Sequence, residues 1–523
     1  AALGTMAAGA AYVHVEPSDP DPHVASVLAA TGASAVLTDR ANHRRPAAAT
    51  VPSCVLDDEK PSAPYVPPDD LGTTDLAYLV LTSGSTGTPK AVEVEHGALL
   101  DYCAAFSQEI APQAPDSYGI TTTFAADLGK TCVYGALLSG ARLDVYNRET
   151  TLDAAAFAAE LQAHPVACLK FTPSHLEVLA SETDLGGLLP SRLLLVAGEP
   201  FPPRLAAAVL TARPDLAVYN SYGPAETTVA VLMHRVTEAD LARERIPVGH
   251  PLRGVTIRLT GRDGREAAPG TAGVLTVSGT CVARGYRGDA ALTGTRFGTD
   301  GAVRSYRTDD LLVSHDGSLE FLGRADRQLK IRGNRVEPAE VEAALLALPG
   351  VRQAVAAGVR QVPDAPLELV AYVVGAVRPA DLAGRLHGTL PAALVPSRMH
   401  VVTSIPLGPN GKADVEALRA AAEAEQPATV RTELPRTDVE RQITEIWSAV
   451  LGRTGIGRND RFLEIGGDSF KLLAVFGKLR RSFPAIGIAT LFAHPSIAEL
   501  ASVLETGGRP HAPAAPAVPV VEL

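Results

Sequence analysis

From about residue 8 to about residue 250, short apolar runs alternate with amphipathic stretches. Strands of that kind must be covered by neighbouring helices, so the alternation restricts this part of the chain to an α/β fold. Ala35–Leu37, Leu193–Val196 and Leu216–Tyr219 are predicted strands, and Ala98–Glu109 and Ala154–Ala163 are predicted helices. A further apolar run, Leu76–Leu81, reads as a buried strand. It empties into Thr82-Ser83-Gly84-Ser85-Thr86-Gly87-Thr88-Pro89-Lys90, after which Ala91–Val94 starts another strand. Glycines let backbone N–H groups approach a ligand, hydroxyls donate and a lysine neutralises charge, so this loop suits a polyphosphate. An ordinary Ser/Gly turn has the same composition. The G-x-x-x-x-G-K-[ST] spacing of a Walker loop is absent.

The chain has 523 residues, enough for more than one domain and a large core. Its shares of hydrophobic (46%) and charged (20%) residues are those of a water-soluble globular protein. A net charge of −11 argues against nucleic acid as a partner. No apolar stretch reaches about 18 residues, so no membrane partner is expected, and no signal peptide is read. The five cysteines, Cys54, Cys103, Cys132, Cys168 and Cys281, show no C-x-x-C or metal-ligand spacing. They are expected to be reduced core residues, which suits a cytoplasmic location.

Residues 251–325 turn strand-rich, are punctuated by Gly270, Gly273, Gly279, Gly285 and Gly288, and are expected to form a small distorted barrel. An α+β unit begins near Asp326, with a predicted helix over Val336–Leu346, strands over Val351–Val359 and Leu367–Val374, and a helix over Ala380–Leu390. The expected divisions are a large part (1–325), a small α+β part (326–422), a Pro/Thr-rich linker (423–436), an all-α four-helix domain (437–506) and a Gly/Pro/Ala-rich tail expected to be disordered (507–523).

The segment TSGSTGTPK closely resembles the phosphate loop of the adenylate-forming (ANL) superfamily of acyl-CoA synthetases, luciferases and peptide-synthetase adenylation domains, and that family's other motifs follow in order. The resemblance assigns ATP contacts to Thr82, Ser83, Gly84, Ser85, Thr86, Gly87 and Lys90. Asn220-Ser221-Tyr222-Gly223-Pro224-Ala225-Glu226 is similar to the nucleotide motif, which implies that Tyr222 stacks adenine beside Asn220 and Gly223 and that Glu226 binds Mg²⁺. Ala225 stands where the family usually has Thr. Gly198-Glu199-Pro200 resembles the segment flanking the adenine. Tyr306-Arg307-Thr308-Asp309-Asp310 matches a motif whose last Asp, here Asp310, grips the ribose hydroxyls; Asp309 replaces a glycine, so a strained turn is expected. In the run Gly323–Gly333 the resemblance makes Asp326 a hinge between two half-reactions and adds Arg324 to the ATP site. Leu407-Gly408-Pro409-Asn410-Gly411-Lys412 carries the lysine expected to touch the substrate carboxylate and ATP. Asp460–Ser469 looks like a carrier-protein motif in which Ser469, opening a helix whose N-terminus favours a phosphodiester, receives 4'-phosphopantetheine. Ala8–Pro17 resembles an internal adenylation-domain motif that normally has some tens of residues before it, so apolar surface is expected to be exposed.

Singly, these segments also fit turns, surface charge pairs, a solvated lysine or a capping serine. Together and in register they resemble a nonribosomal peptide synthetase adenylation domain followed by a peptidyl carrier domain. That family activates an amino acid with MgATP as aminoacyl-AMP and loads it as a thioester on its carrier. A CoA ligase would share the phosphate loop without needing a fused carrier, and a non-catalytic relative would be free to lose Lys412, Glu226 or Asp310. The resemblance also implies a phosphopantetheinyl transferase and neighbouring condensation or other synthetase domains as partners, and leaves open a need for an MbtH-like protein. Aligned from Cys132–Gly140, it places Asp127 on the substrate's α-ammonium and lines a pocket with Leu128, Thr131, Lys170, Leu195, Ala197, Ser221, Val229 and Ala230. A buried Lys170 needs an acceptor, so the expected substrates are asparagine, then glutamine, then aspartate or glutamate. The alternative is that Lys170 swings out to solvent and the pocket suits a small apolar amino acid.

Overall fold

Successive side chains of a strand point to opposite faces, and in the largest sheet both faces are apolar because both are covered. Its seven strands run in the order His250–Pro251, Leu232–Arg235, Ala217–Tyr222, Leu193–Ala197, Cys168–Phe171, Ser117–Ile120, Arg142–Val145. The last five are mutually parallel, whereas the first two are antiparallel additions. Leu194, Val196, Leu169, Phe171 and Val218 pack one face against the helices Ala154–Ala163, Pro173–Glu182 and Pro203–Ala212. Leu193, Leu195, Cys168, Ala217 and Tyr219 face the other way, into a core shared with the helices His96–Glu109 and Lys130–Ser139.

That second core extends to a four-stranded sheet ordered Tyr12–Val13, Leu76–Thr82, Lys90–Glu95, Gly285–Tyr286. The expected small barrel takes the form of a five-stranded antiparallel sheet over Thr256–Arg324, in which the long strand Val303–His315 pairs with three neighbours. A hairpin, Leu329–Ile331 with Asn334–Val336, leads into the small α+β part. Here the three strands Val351–Val359, Glu368–Gly375 and Arg398–Val401 are backed by the helices Pro338–Leu346 and Pro379–His387. The helix predicted from Val336 begins at Pro338, because Val336 closes the hairpin and Pro at a first helical turn lacks only an N–H that has no partner there anyway. The last helix of this part, Val415–Ala424, runs two residues past the expected boundary at 422.

The computed structural model describes residues 1–45, 51–58, 68, 70–82, 89–261, 263–326, 328–331, 333–360, 367–406, 413–424, 433–451, 454–462, 465, 467, 469–483, 486, 490–491 and 494–505. The chain divides into two units, Ala1–Glu425 and Gln426–Leu523. In the second, the helices Asp438–Leu451, Ser469–Ser482 and Ile497–Glu505 enclose a core of Ile443, Trp447, Phe462, Leu472, Val475, Leu479 and Leu500. Trp447 meets Phe462 edge to face at 4.8 Å. Among the described residues no helix is long and apolar enough to cross a membrane.

Trp447 is the only tryptophan of the chain, so its fluorescence reports on this unit. Ile443 is fully buried, and Ile443→Ala should destabilise the unit by about 2–5 kcal/mol. The expected observation is a Trp447 unfolding transition displaced to lower urea; an unmoved midpoint would refute this packing.

Candidate active site

The parallel strands end at Phe171, Ala197 and Tyr222, and ligands of such sheets bind outside the carboxyl ends of their strands. Register puts Lys170 beside Leu195 and Ala197 beside Ser221, on the face that the helix Lys130–Ser139 covers. The sheet therefore gathers four expected pocket residues before any loop is considered. Lys170 is 3% exposed and has not swung out to solvent. Its Nζ donates to Thr131 Oγ1 at 2.8 Å, and the Thr131 hydroxyl lies 2.7 Å from the Tyr102 hydroxyl. An ammonium has three donors, and no second acceptor for Lys170 stands among the described residues. Burial pushes its pKa down to about 8, although Cys132, Asp127 and Cys168 lie close enough to oppose the fall.

Asp127 opens a short 3₁₀ turn, Asp127–Gly129, just before that helix. Its carboxylate accepts from the Tyr78 hydroxyl (3.1 Å) and the Val229 N–H (3.0 Å), and Lys130 Nζ stands 3.9 Å away. Burial raises its pKa against the pull of Lys130 and these hydrogen bonds. Val229 reaches it through an unusual backbone: Thr228 and Val229 both lie in the left-handed region, at φ 59° and 68°. Two β-branched residues held there store strain, as functional segments often do. Gly223 permits this path, since a Cβ on it would lie 2.5 Å from Ala230 Cα and 2.8 Å from the Val229 carbonyl oxygen.

The same strand end supplies the nucleotide motif. Tyr222 is buried, and its hydroxyl donates to Asp310, which also accepts from Arg324. Arg324 clamps Asp326 through two further bonds of 2.7 and 2.8 Å, so the expected hinge aspartate is joined to the expected ribose aspartate by one guanidinium. Asp309, where a glycine was expected, does adopt a left-handed φ of 60°, and Arg296 and Arg307 pair with it. Lys330 Nζ lies 5.1 Å from the Tyr222 ring centroid and 5.6 Å from that of Phe321.

Glu226 has no exposed surface, and Arg335 bonds both its oxygens at 2.7 and 2.8 Å while the Tyr286 hydroxyl donates at 2.7 Å. Burial opposes ionisation, yet Arg335 and Tyr286 hold its carboxyl below the ordinary range. Glu199 ties the hairpin down as well, accepting from the Gly333 N–H (2.8 Å) and the Ser174 N–H (3.0 Å). Lys90 pairs with Glu337 at 3.8 Å. Asn220 is buried in the scaffold, its amide donating to the Pro247 carbonyl at 2.8 Å. Leu128 and Gly198 adjoin across the pocket rim, the Leu128 side chain 3.7 Å from where a Gly198 Cβ would stand.

Of the expected phosphate loop, Thr82 and Lys90 are described, whereas Ser83, Gly84, Ser85, Thr86 and Gly87 lie outside the described residues, as does Lys412. Ser469 is the first residue of its helix, and a Cβ on Gly467 would overlap the Phe462 ring at 2.3–2.4 Å, so the glycine lets the chain turn tightly into that helix. Sequence reasoning passed over Lys130, Lys330 and Arg335. Lys130 follows Asp127 at i+3, and Arg335 and Lys330 are two of several charges on a short hairpin, signals that only a partner on another element makes meaningful.

Residues 1–287 match the family model described as AMP-binding enzyme, residues 340–412 the AMP-binding enzyme C-terminal domain, and residues 441–504 the phosphopantetheine attachment site. Isonitrile lipopeptide synthase of Mycobacterium tuberculosis is 33% identical over 521 residues, 98% of this chain and 20% of that protein. Tyrocidine synthase 2 of Brevibacillus parabrevis is 31% identical over 514 residues, 96% of this chain and 14% of that protein. The chain thus spans one-fifth or less of the length of these two relatives. Among solved structures, holo-PA1221, an NRPS protein containing adenylation and PCP domains, superposes with a TM-score of 0.81 at 26% identity over 97% of this chain and 85% of that one. A four-domain nonribosomal peptide synthetase bound to AMP and glycine superposes with a TM-score of 0.54 at 26% identity, over 97% of this chain and 38% of that one. The chain belongs to the AMP-binding enzyme family, as an ATP-dependent, AMP-forming adenylation domain of the adenylate-forming superfamily followed by a phosphopantetheine carrier domain.

Proposed function

We propose that this chain activates an amino acid with ATP and loads it on its own carrier domain, as one station of a nonribosomal peptide synthetase. The observation that supports the reading most is the placing of a partly exposed carboxylate, Asp127, and a buried ammonium, Lys170, on one face at the ends of the strands that lead to Tyr222 and Glu226. A zwitterionic ligand with a polar side chain matches both groups. Asp127 keeps acceptor positions beyond those taken by Tyr78 and Val229, enough for an α-ammonium. Lys170 favours a side chain ending in an acceptor, the amide of asparagine or glutamine or the carboxylate of aspartate or glutamate.

Asp127 fixes the α-carbon so that the α-carboxylate faces the α-phosphorus of ATP. Its oxygen attacks, the bond to pyrophosphate breaks, and aminoacyl-AMP remains. Positioning and charge stabilisation are what the protein contributes to such a displacement. Asp310 would accept from the ribose, and Lys412 would bridge the reacting carboxylate and the nucleotide. Mg²⁺ commonly takes one or two carboxylates together with substrate phosphates, and Glu226 fits as a single such ligand. When bound, the metal would neutralise phosphate charge. In the present arrangement Glu226 is instead neutralised by Arg335 of the hairpin. Phosphopantetheine on Ser469 supplies the thiol that takes the aminoacyl group as a thioester. A phosphopantetheinyl transferase and neighbouring synthetase domains are the corresponding partners, with an MbtH-like protein as a further candidate.

Lys412→Ala should lower ATP–pyrophosphate exchange by about 10²–10³-fold, the scale of one preorganised charge contact. Transfer from supplied aminoacyl-AMP should fall far less, and equal losses in both half-reactions would contradict a role confined to adenylation. Ser469→Ala should leave exchange intact while intact mass after treatment with a phosphopantetheinyl transferase shows no gain; a gain in the mutant would place the attachment site elsewhere. Lys170 gives a pH signature. Thr131, Cys132, Cys168 and Asp127 are the groups that face it, and its ammonium persists below a pKa of about 8 and is lost above it. For a substrate held through that ammonium, kcat/KM should therefore fall as pH rises through about 8, and Lys170→Met should remove the step. A pH-independent kcat/KM over that range would sever Lys170 from substrate recognition.

A further inference from the structure

Lys130 is a lysine that the pocket's expected lining does not include, yet it is 4% exposed. Lysines are rarely buried so completely unless paired. Its Nζ lies 3.9 Å from Asp127 Oδ1, 3.4 Å from the Phe124 carbonyl oxygen and 4.7 Å from the centroid of the Tyr78 ring. Asp127 is thus already balanced by a cation built into the chain. Lys170, on the strand Cys168–Phe171, is then left as a second buried cation, and no carboxylate stands within ion-pair distance of it among the described residues. The buried carboxylates nearby are committed, Glu226 to Arg335 and Asp310 to Arg324.

We propose that Lys130 is a specificity-determining residue, which neutralises Asp127 and so leaves the pocket one positive charge in excess, to be cancelled by the side-chain carboxylate of an acidic amino acid. The inference rests on the amino-acid reading above and sharpens it from acceptor-bearing side chains to anionic ones, reversing the amide-first order that the sequence implied. A neutral amide offers Lys170 a hydrogen bond and no charge. With such a substrate the α-ammonium and the α-carboxylate offset each other, and the excess positive charge of the pocket stays uncompensated. Uncompensated buried charge is what protein interiors tolerate least. An acidic amino acid brings two carboxylates and one ammonium, so its side-chain carboxylate on Lys170 cancels that excess, and charge-assisted bonds are about twice as strong as neutral ones.

The test measures kcat/KM in ATP–pyrophosphate exchange for aspartate, glutamate, asparagine, glutamine, valine, phenylalanine and 2-hydroxysuccinate, in wild type, Lys130→Met and Lys130→Arg. Wild type is expected to favour an acid over its amide by about tenfold or more. Lys130→Met should lower that ratio at least tenfold, and Lys130→Arg should restore most of it. A structural role alone would move all substrates together and leave the ratio in place. Should Lys130→Met fail to fold, binding of non-hydrolysable aspartyl and asparaginyl sulfamoyl-adenosines to wild type gives the same ratio without a variant. Preference for asparagine or glutamine, or an acid preference unmoved by Lys130→Met, overturns this proposal and leaves the amino-acid reading intact. Preference for valine or phenylalanine, or equal use of the hydroxy acid, overturns the reading on which it rests.

Discussion

The arrangement of the first unit depends on the bond between Glu226 and Arg335. A carboxylate with no exposed surface is held by two charge-assisted contacts from one guanidinium and a third from a tyrosine. Breaking a buried pair by removing one partner commonly costs about 3–5 kcal/mol, because the other charge is left stranded. Arg335 comes from the hairpin that leads into the small α+β part, and Glu226 from the turn after the strand Ala217–Tyr222. The pair, with Gly333 on Glu199 and Lys330 over Tyr222, therefore sets where that hairpin lies on the nucleotide side of the sheet. The carboxylate that a metal is expected to use is the one the hairpin's arginine occupies, so the two cations exclude each other on Glu226.

Charge is distributed unequally over the site. On the nucleotide side Glu226 and Asp310 each have an arginine, and Arg324 also serves Asp326. These contacts are short and desolvated, the kind that fix geometry. On the amino-acid side the count differs, with two lysines to one aspartate and a single hydroxyl between Lys170 and Tyr102. The first group is complete within the protein. The second, on the proposed reading, is completed by a ligand.

Much of this was legible in the sequence, for identifiable reasons. The strands Val351–Val359 and Leu193–Ala197 and the helix Ala154–Ala163 follow from local periodicity, which tertiary packing had no reason to override. The pocket face was legible because strand parity commits Lys170, Leu195, Ala197 and Ser221 together. Boundaries at proline and hairpin ends shifted by a residue or two, as at Val336 and Ala424. Arg335 and Lys130 were not legible, since their meaning lies in partners more than a hundred residues away, for Arg335, or in burial, for Lys130. Asn220 reads as a ligand contact in its motif and packs as a brace under Pro247, because the strand's parity turns it into the scaffold.

The close pass of Gly223 under Ala230 has a consequence for altering this enzyme. The floor of the proposed amino-acid pocket, at Val229 and Ala230, and the turn bearing Tyr222 meet through backbone atoms that leave no space for a Cβ on Gly223. A larger residue at Val229 or Ala230 would be transmitted to the turn bearing Tyr222, the ring proposed to stack on the adenine, and also to the N–H that bonds Asp127. On the proposed reading, reshaping of this pocket is therefore freer along its strand wall, at Leu195 and Ala197, than across its floor, where a change in amino-acid selectivity and a change in nucleotide affinity would be mechanically the same event.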